Sequence, residues 1–251
     1  MNSGDQNGTI HLMQKKNRPR TAPPSLPHIV ALGGSVIAPD GVDISFIKNF
    51  RSLIRRLAGR GHKFIIVIGG GALAREYQRI ATTLASDAPT IELDTIGMRA
   101  TQLNAELVRL SFGKRVHPEI MNAPEKLLHL RDPIAIAAGW MPGYSTDTVA
   151  MRIAEELGAK RVIIAGRPAF VYDRDFVRHP GAKPLRKLNW NAYRKLISKR
   201  WKPGMGAPVD PVAARRAERA GLEALVVRGT HLDNLANVFL NRPFRGTTIK
   251  G

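Results

Sequence analysis

The chain has 251 residues and sets 39 Lys and Arg against 20 Asp and Glu, a formal net charge of +19 at pH 7. With 43% hydrophobic and 24% charged residues it is composed as a globular protein, not as a disordered one, and its lack of Cys excludes a disulfide framework, a thiolate metal site and a cysteine nucleophile. So large a positive surplus implies a polyanionic partner, whether nucleotide or nucleic acid.

Residues 1–28 hold Lys15, Lys16, Arg18 and Arg20 against Asp5, with Pro at 19, 23, 24 and 27, and are expected to form a flexible basic tail. The N-terminus has no apolar stretch of signal-peptide type. The longest apolar runs, such as Phe64 to Ile68, are far too short to cross a bilayer, so a cytoplasmic enzyme without membrane contact is expected.

From residue 29 onward, short apolar runs alternate with helical patterns. His28 to Leu32 predicts a buried strand entering a tight turn at Gly33-Gly34-Ser35. Asp43 is placed to cap a helix with apolar residues at Ile44, Ile47, Phe50, Ile54 and Leu57, stopped by Gly59 and Gly61. Lys63 to Ile68 predicts a second strand, followed by Gly69-Gly70-Gly71 and a helix over 72–84. A helix over 95–110, a strand over 133–138, a helix over 147–157 and a strand over 161–165 follow. Beyond these come a basic helix near 191–199, a helix over 211–220, a strand over 224–227 and a helix over 232–240. Thr247 to Lys250 reads as an edge strand. This alternation predicts an α/β fold, a three-layer αβα sandwich with a mostly parallel central sheet.

In open parallel sheets ligands bind beyond the carboxyl ends of the strands. Three glycine-rich turns fall there: Gly33-Gly34-Ser35, Gly69-Gly70-Gly71, and Gly139 to Gly143 followed by Ser145-Thr146-Asp147. Glycine lets backbone N–H groups approach a phosphate, and each following helix N-terminus favours an anion. Neither GxxxxGK[ST] nor GxGxxG is present, which disfavours the two common nucleotide folds. Asp94 either caps the following helix or contacts a ligand, and Thr146 is a natural N-cap for the helix at Asp147. The seven His show no ligand-like spacing, so no metal-binding residue is assigned.

The chain resembles the amino-acid-kinase superfamily, and most closely its archaeal-type uridylate (UMP) kinases. The resemblance rests on LGGSVIAPDGVD (32–43), VIGGGALAREY (67–77), DTIGMRATQLNAELV (94–108), PGYSTDTVA (142–150), VDPVAARRAERAG (209–221) and GTTIK (246–250). It implies ATP-dependent phosphorylation of UMP to UDP in pyrimidine nucleotide biosynthesis, with Mg²⁺ bridging the donor phosphates. It further implies that Gly69, Gly70, Gly71 and Arg75 hold the acceptor phosphate, that Asp94 accepts hydrogen bonds from the ribose, and that Thr146 and Asp147 organise the reaction centre. Gly33, Gly34 and Ser35 would cradle the transferring group, while Arg167, Tyr172, Asp175 and Gly204 would meet the donor nucleotide. Residues 29–160 would then be the acceptor lobe and 161–251 the donor lobe, in a homo-oligomer that in this branch is commonly a hexamer.

Three departures accompany the resemblance. A family lysine in the first strand is Ala31, leaving Arg75, backbone amides and Mg²⁺ to meet the phosphoryl charge. Trp140 replaces a small hydroxyl residue, placing bulk where base or phosphate should lie. The donor segment TNVDGVYxxDP reads GRPAFVYDRDF (166–176), with Phe170 at a glycine position, which implies a different backbone path. A phosphotransferase with another acceptor, or a silent nucleotide- or oxyanion-binding protein, are the alternatives these departures leave open. Residues 174–219 carry thirteen Lys and Arg against three acidic residues. That run is either a solvated face or an anion-binding surface in which Trp190, Tyr193 and Trp201 could stack on bases; a mononucleotide fits the rest of the chain better than nucleic acid.

Overall fold

The computed structural model describes residues 26–127, 130–199 and 207–251. The expected tail through residue 25, Gly204 and Trp201 therefore lie outside the described residues.

Seven strands form one sheet in the order β3-β2-β1-β4-β8-β9-β7: β1 (His28–Leu32), β2 (Phe64–Ile68), β3 (Ile134–Ala137), β4 (Arg161–Gly166), β7 (Lys187–Asn189), β8 (Glu223–Arg228) and β9 (Thr247–Lys250). The first five in that order are mutually parallel, and β9 reverses direction against β8. A two-stranded ribbon, β5 (Val171–Tyr172) with β6 (Pro184–Leu185), stands apart from it.

Side chains alternate across the pleat, and both faces are covered, so the central strands are apolar throughout. Val30, Leu32, Phe64, Ile66 and Ile136 pack into one core with α2 (Ile44–Ala58), α4 (Thr90–Phe112) and α8 (Leu232–Phe239). Ile29, Ala31, Ile65 and Val67 face the other, with α5 (Thr146–Glu156), α6 (Trp190–Leu196) and α7 (Pro211–Arg219). The expected three-layer sandwich is thus observed. Asp43 caps α2 as expected, its carboxylate accepting from Phe46 N–H at 2.8 Å.

The structure corrects several expectations. The turn after β1 contains a helical turn, α1 (Gly34–Ile37). Helix α4 begins at Thr90, behind Pro89, and not at 95. Thr247 to Lys250 is not an edge: β9 pairs with β8 on one side and β7 on the other. Strands this short escape a periodicity reading, because two or three residues carry no detectable alternation. Trp190 and Tyr193 are core residues, 1% and 0% exposed, so neither ring presents a face on which a base could stack.

Candidate active site

The chain runs from β1 outward to β2 and β3, then returns to place β4 on the other side of β1. A switch of this kind leaves the loops after β1 and β4 diverging, and a crevice opens between them. A cleft of about 910 Å³ lies there, lined from β1 by Gly33, Gly34 and Ser35 and from the start of α3 (Gly71–Leu84) by Gly69, Gly70, Gly71 and Arg75. Asp94 enters from α4, Thr146 and Asp147 from α5, and Arg167, Tyr172 and Asp175 from the far wall. Every site residue anticipated from sequence that lies among the described residues borders this cleft.

The glycines have a packing reason of their own. A Cβ on Gly34 would lie 1.9 Å from Gly71 N and 2.7 Å from Gly69 C, and one on Gly69 would lie 2.3 Å from Gly34 N. The first two loops therefore cross with backbone against backbone, which only glycine allows. Gly71 also adopts φ +63°. The N–H groups of Gly33 and Gly69 donate to Ala165 O and Leu32 O, both at 3.0 Å, and so brace the loops. Buried Asn104 completes the frame by donating to Gly69 O (3.0 Å) and Gly70 O (2.9 Å).

On the acceptor side, Arg75 is exposed and donates to Pro39 O at 2.9 Å. Asp94 is not a cap. It is the fifth residue of α4 and only 8% exposed, and burial raises its proton affinity while a hydrogen bond from the Gly143 backbone offsets part of the rise. Trp140 is absent from the cleft lining: its indole N–H donates to Met121 O at 3.0 Å, and Arg152 lies 5.9 Å from its ring centroid. The expected steric intrusion of Trp140 therefore does not occur.

At the centre, Ser145 rather than Thr146 caps α5, its hydroxyl accepting from Thr148 N–H at 3.0 Å. Asp147 is half-buried, and its carboxyl is held well above the usual carboxylate range, first by burial and then by the charge of Asp210. The Asp210 backbone N–H, 3.4 Å from Asp147 Oδ2, opposes part of that rise. Asp210 caps α7 by accepting from Val212 and Ala213 N–H, and also accepts from the Ser145 hydroxyl. Sequence reading missed Asp210, Ser145 and Asn104 as site residues. Asp-Pro at a helix start is a strong capping signal, but nothing local reveals that the cap faces Asp147, 63 residues away.

The donor wall is aromatic. Tyr172 stacks on Phe176 with centroids 4.9 Å apart and meets Phe170 edge-on at 6.2 Å. Phe170 is 6% exposed under Arg186, whose guanidinium lies 5.6 Å from the ring centroid. Among the described residues Asn241 is the sole non-glycine with positive φ, so Phe170 sits in ordinary backbone. Asp175 turns back on its own loop, accepting from Val177 N–H at 2.9 Å. Among the described residues no three His, Cys, Asp or Glu are grouped to hold a metal ion.

The amino acid kinase family profile matches residues 28–228. The chain is 32% identical over 224 residues to a uridylate kinase of Haloquadratum walsbyi, covering 88% of this chain and 92% of that protein. It is 35% identical over 184 residues to one of Staphylothermus marinus, covering 72% and 81% respectively. Its fold superposes on the crystal structure of uridylate kinase from Archaeoglobus fulgidus with a TM-score of 0.77 at 27% identity, covering 89% of this chain and all of that one.

Proposed function

The chain belongs to the amino acid kinase family, and from that premise we propose that it transfers the γ-phosphoryl group of ATP to UMP, giving ADP and UDP. The convergence of Gly69–Gly71, Arg75, Asp94 and Asp147, drawn from three separated stretches, on one cleft supports this reading most directly. In it, Arg75 and the loop before α3 hold the acceptor phosphate, and Asp94 takes the ribose hydroxyls. Thr146 and Asp147 stand where acceptor and donor meet, and Gly33, Gly34 and Ser35 face the group in transit. Phosphoryl transfer asks mainly for such positioning and charge neutralisation.

The donor nucleotide takes the second half of the chain, 161–251, against the acceptor half, 29–160. The Tyr172 and Phe176 rings offer a base a stacking surface, and Arg167 and Arg174, both exposed at the cleft, offer charge to its phosphates. Gly204 belongs to this side by its position in the chain. Mg²⁺ enters as part of the substrate MgATP, bridging the donor phosphates. No described helix is long and apolar enough to cross a membrane.

The same reading extends to a homo-oligomer. Helix α3 buries none of its residues: Tyr77, Ile80 and Leu84 are exposed on it at helical spacing, and Leu103, Leu107 and Leu110 are exposed at helical spacing farther along α4. These two helices hold four Arg and four acidic residues, of which Asp94 is buried, so their surface is close to neutral on a strongly cationic chain. A second copy can approach there without charge repulsion.

A coupled assay with UMP, CMP and ATP/Mg²⁺ tests the reading: UDP should form from UMP. Binding of UMP without UDP would reject the kinase and leave a nucleotide-binding protein.

A further inference from the structure

Helix α6 lies in the second core and has no residue in the acceptor half of the cleft, yet one of its side chains reaches the reaction centre through the backbone. Tyr193 is 0% exposed, and its hydroxyl donates to Val209 O at 2.6 Å and accepts from Val209 N–H at 2.7 Å. Both backbone polar groups of a fully buried residue are thereby satisfied by one side chain. Asp210, the next residue, donates its N–H to Asp147. Its carboxylate divides its work between two helices: Oδ1 accepts from Val212 and Ala213 N–H of α7, and Oδ2 accepts from the hydroxyls of Ser145 and Thr148 at the start of α5. The Tyr193 ring already fills its site edge-on against Trp190, centroids 6.0 Å apart, so core packing alone would be met by Phe. The hydroxyl needs another explanation.

We propose that Tyr193 is a positioning residue for phosphoryl transfer, its hydroxyl fixing Val209 and Asp210 and, through Asp210, the first turn of α5 that presents Asp147 to the cleft. The consequence for catalysis rests on the kinase reading above; the brace itself does not. Asp147 is faced by Asp210 from α7 and by the Tyr193 hydroxyl from α6, while β1, β2 and β4 meet α5 with apolar side chains such as Ala31, Val67 and Ile164. Among the described residues, the other ionisable groups that line the cleft are Arg75 and Asp94 on the acceptor side, Arg167, Tyr172, Arg174 and Asp175 on the donor side, and Tyr144.

Three variants of the full chain test this: Tyr193→Phe, Asp210→Asn and, as comparator, Trp190→Phe. Trp190 is equally buried in α6 but donates to Leu222 O at 2.8 Å, away from the brace. Tyr193→Phe should lower kcat about ten-fold or more while changing KM for UMP less than about two-fold. In ¹³C NMR of labelled Asp carboxyls, the Asp147 titration midpoint should fall in Tyr193→Phe, because the neighbouring Asp210 charge is no longer held close, and fall further in Asp210→Asn. Trp190→Phe should lower Tm alone. Tyr193→Phe behaving like Trp190→Phe in both kcat and midpoint overturns the proposal. Should Tyr193→Phe not fold, Asp210→Asn decides, since Asn keeps an oxygen for the α7 cap, and an unmoved midpoint there also overturns it. If the wild type makes no UDP, the kinase reading fails and the NMR comparison still judges the brace.

Discussion

Asp147 joins chemistry and stability in opposition. Burial and the Asp210 charge both favour its protonated form in the folded chain. A carboxyl whose proton affinity is raised by folding contributes stability that is full below its unfolded value, here 3.8, and is lost as pH rises through the folded value. At neutral pH that contribution is gone or reduced. Asp147→Asn should therefore raise Tm at pH 7 and flatten the decline of stability with rising pH, measured by thermal scans between pH 4 and pH 8. The same variant should cut turnover by about a hundred-fold or more while leaving UMP affinity largely intact by calorimetry. Unchanged turnover would remove Asp147 from the reaction centre. If the ionised form is the active one, kcat should fall on the acid side at a pH above the ordinary carboxylate range.

At the scale of elements, the crossing of two loops decides which glycines the fold requires. Gly33 and Gly34 are indistinguishable as neighbours in sequence, and both suggest a phosphate loop. In the structure a Cβ on Gly33 would meet only ordinary contacts, the nearest being Ala165 O at 3.5 Å, and its φ of −58° suits any residue. A Cβ on Gly34 would enter the backbone of Gly71. Urea denaturation should find Gly34→Ala destabilised by at least ~3 kcal/mol. Gly33→Ala should be unchanged or more stable by about 0.4–1 kcal/mol through the unfolded state. Equal costs would show that the crossing is looser than described. Helix boundaries divide in the same way. The start of α2 is legible because Asp43 caps it with its own side chain. The start of α4 is not, because Pro89 offers no side-chain cap and the first turn is exposed.

For the whole molecule, the positive surplus and the neutral α3–α4 face act together. Exposed cations should attract phosphorylated ligands in a way that salt screens. Trp190 and Tyr193 are buried and so cannot serve as base-stacking rings in the basic segment around them, while Trp201 lies outside the described residues. In the proposed homo-oligomer a second copy docks on the exposed leucines of α4, so Leu103→Glu, at a residue 62% exposed, should convert the oligomer to monomers in light scattering without unfolding it. A monomeric wild type would refute the assembly. Arg75 and Asp94, proposed above to hold the acceptor, lie on these same two helices, so the monomer should also bind UMP less tightly.

The layer architecture, most strands and helices, and the glycine turns were legible in the sequence, because apolar periodicity, capping residues and glycine runs are local signals; Arg75, Asp94, Asp147 and the donor-side residues are assigned to the site only through the resemblance to the amino-acid-kinase superfamily. Only tertiary structure decided what each residue does there: that Gly34 serves a loop crossing, that Trp140 turns away, that Asp94 lies inside a helix, and that Asp210 and Tyr193 stand behind Asp147. The reason is physical. Local patterns fix the conformation of a few neighbouring residues, whereas burial, close backbone approach and the field at a carboxylate depend on groups that chain folding alone brings together.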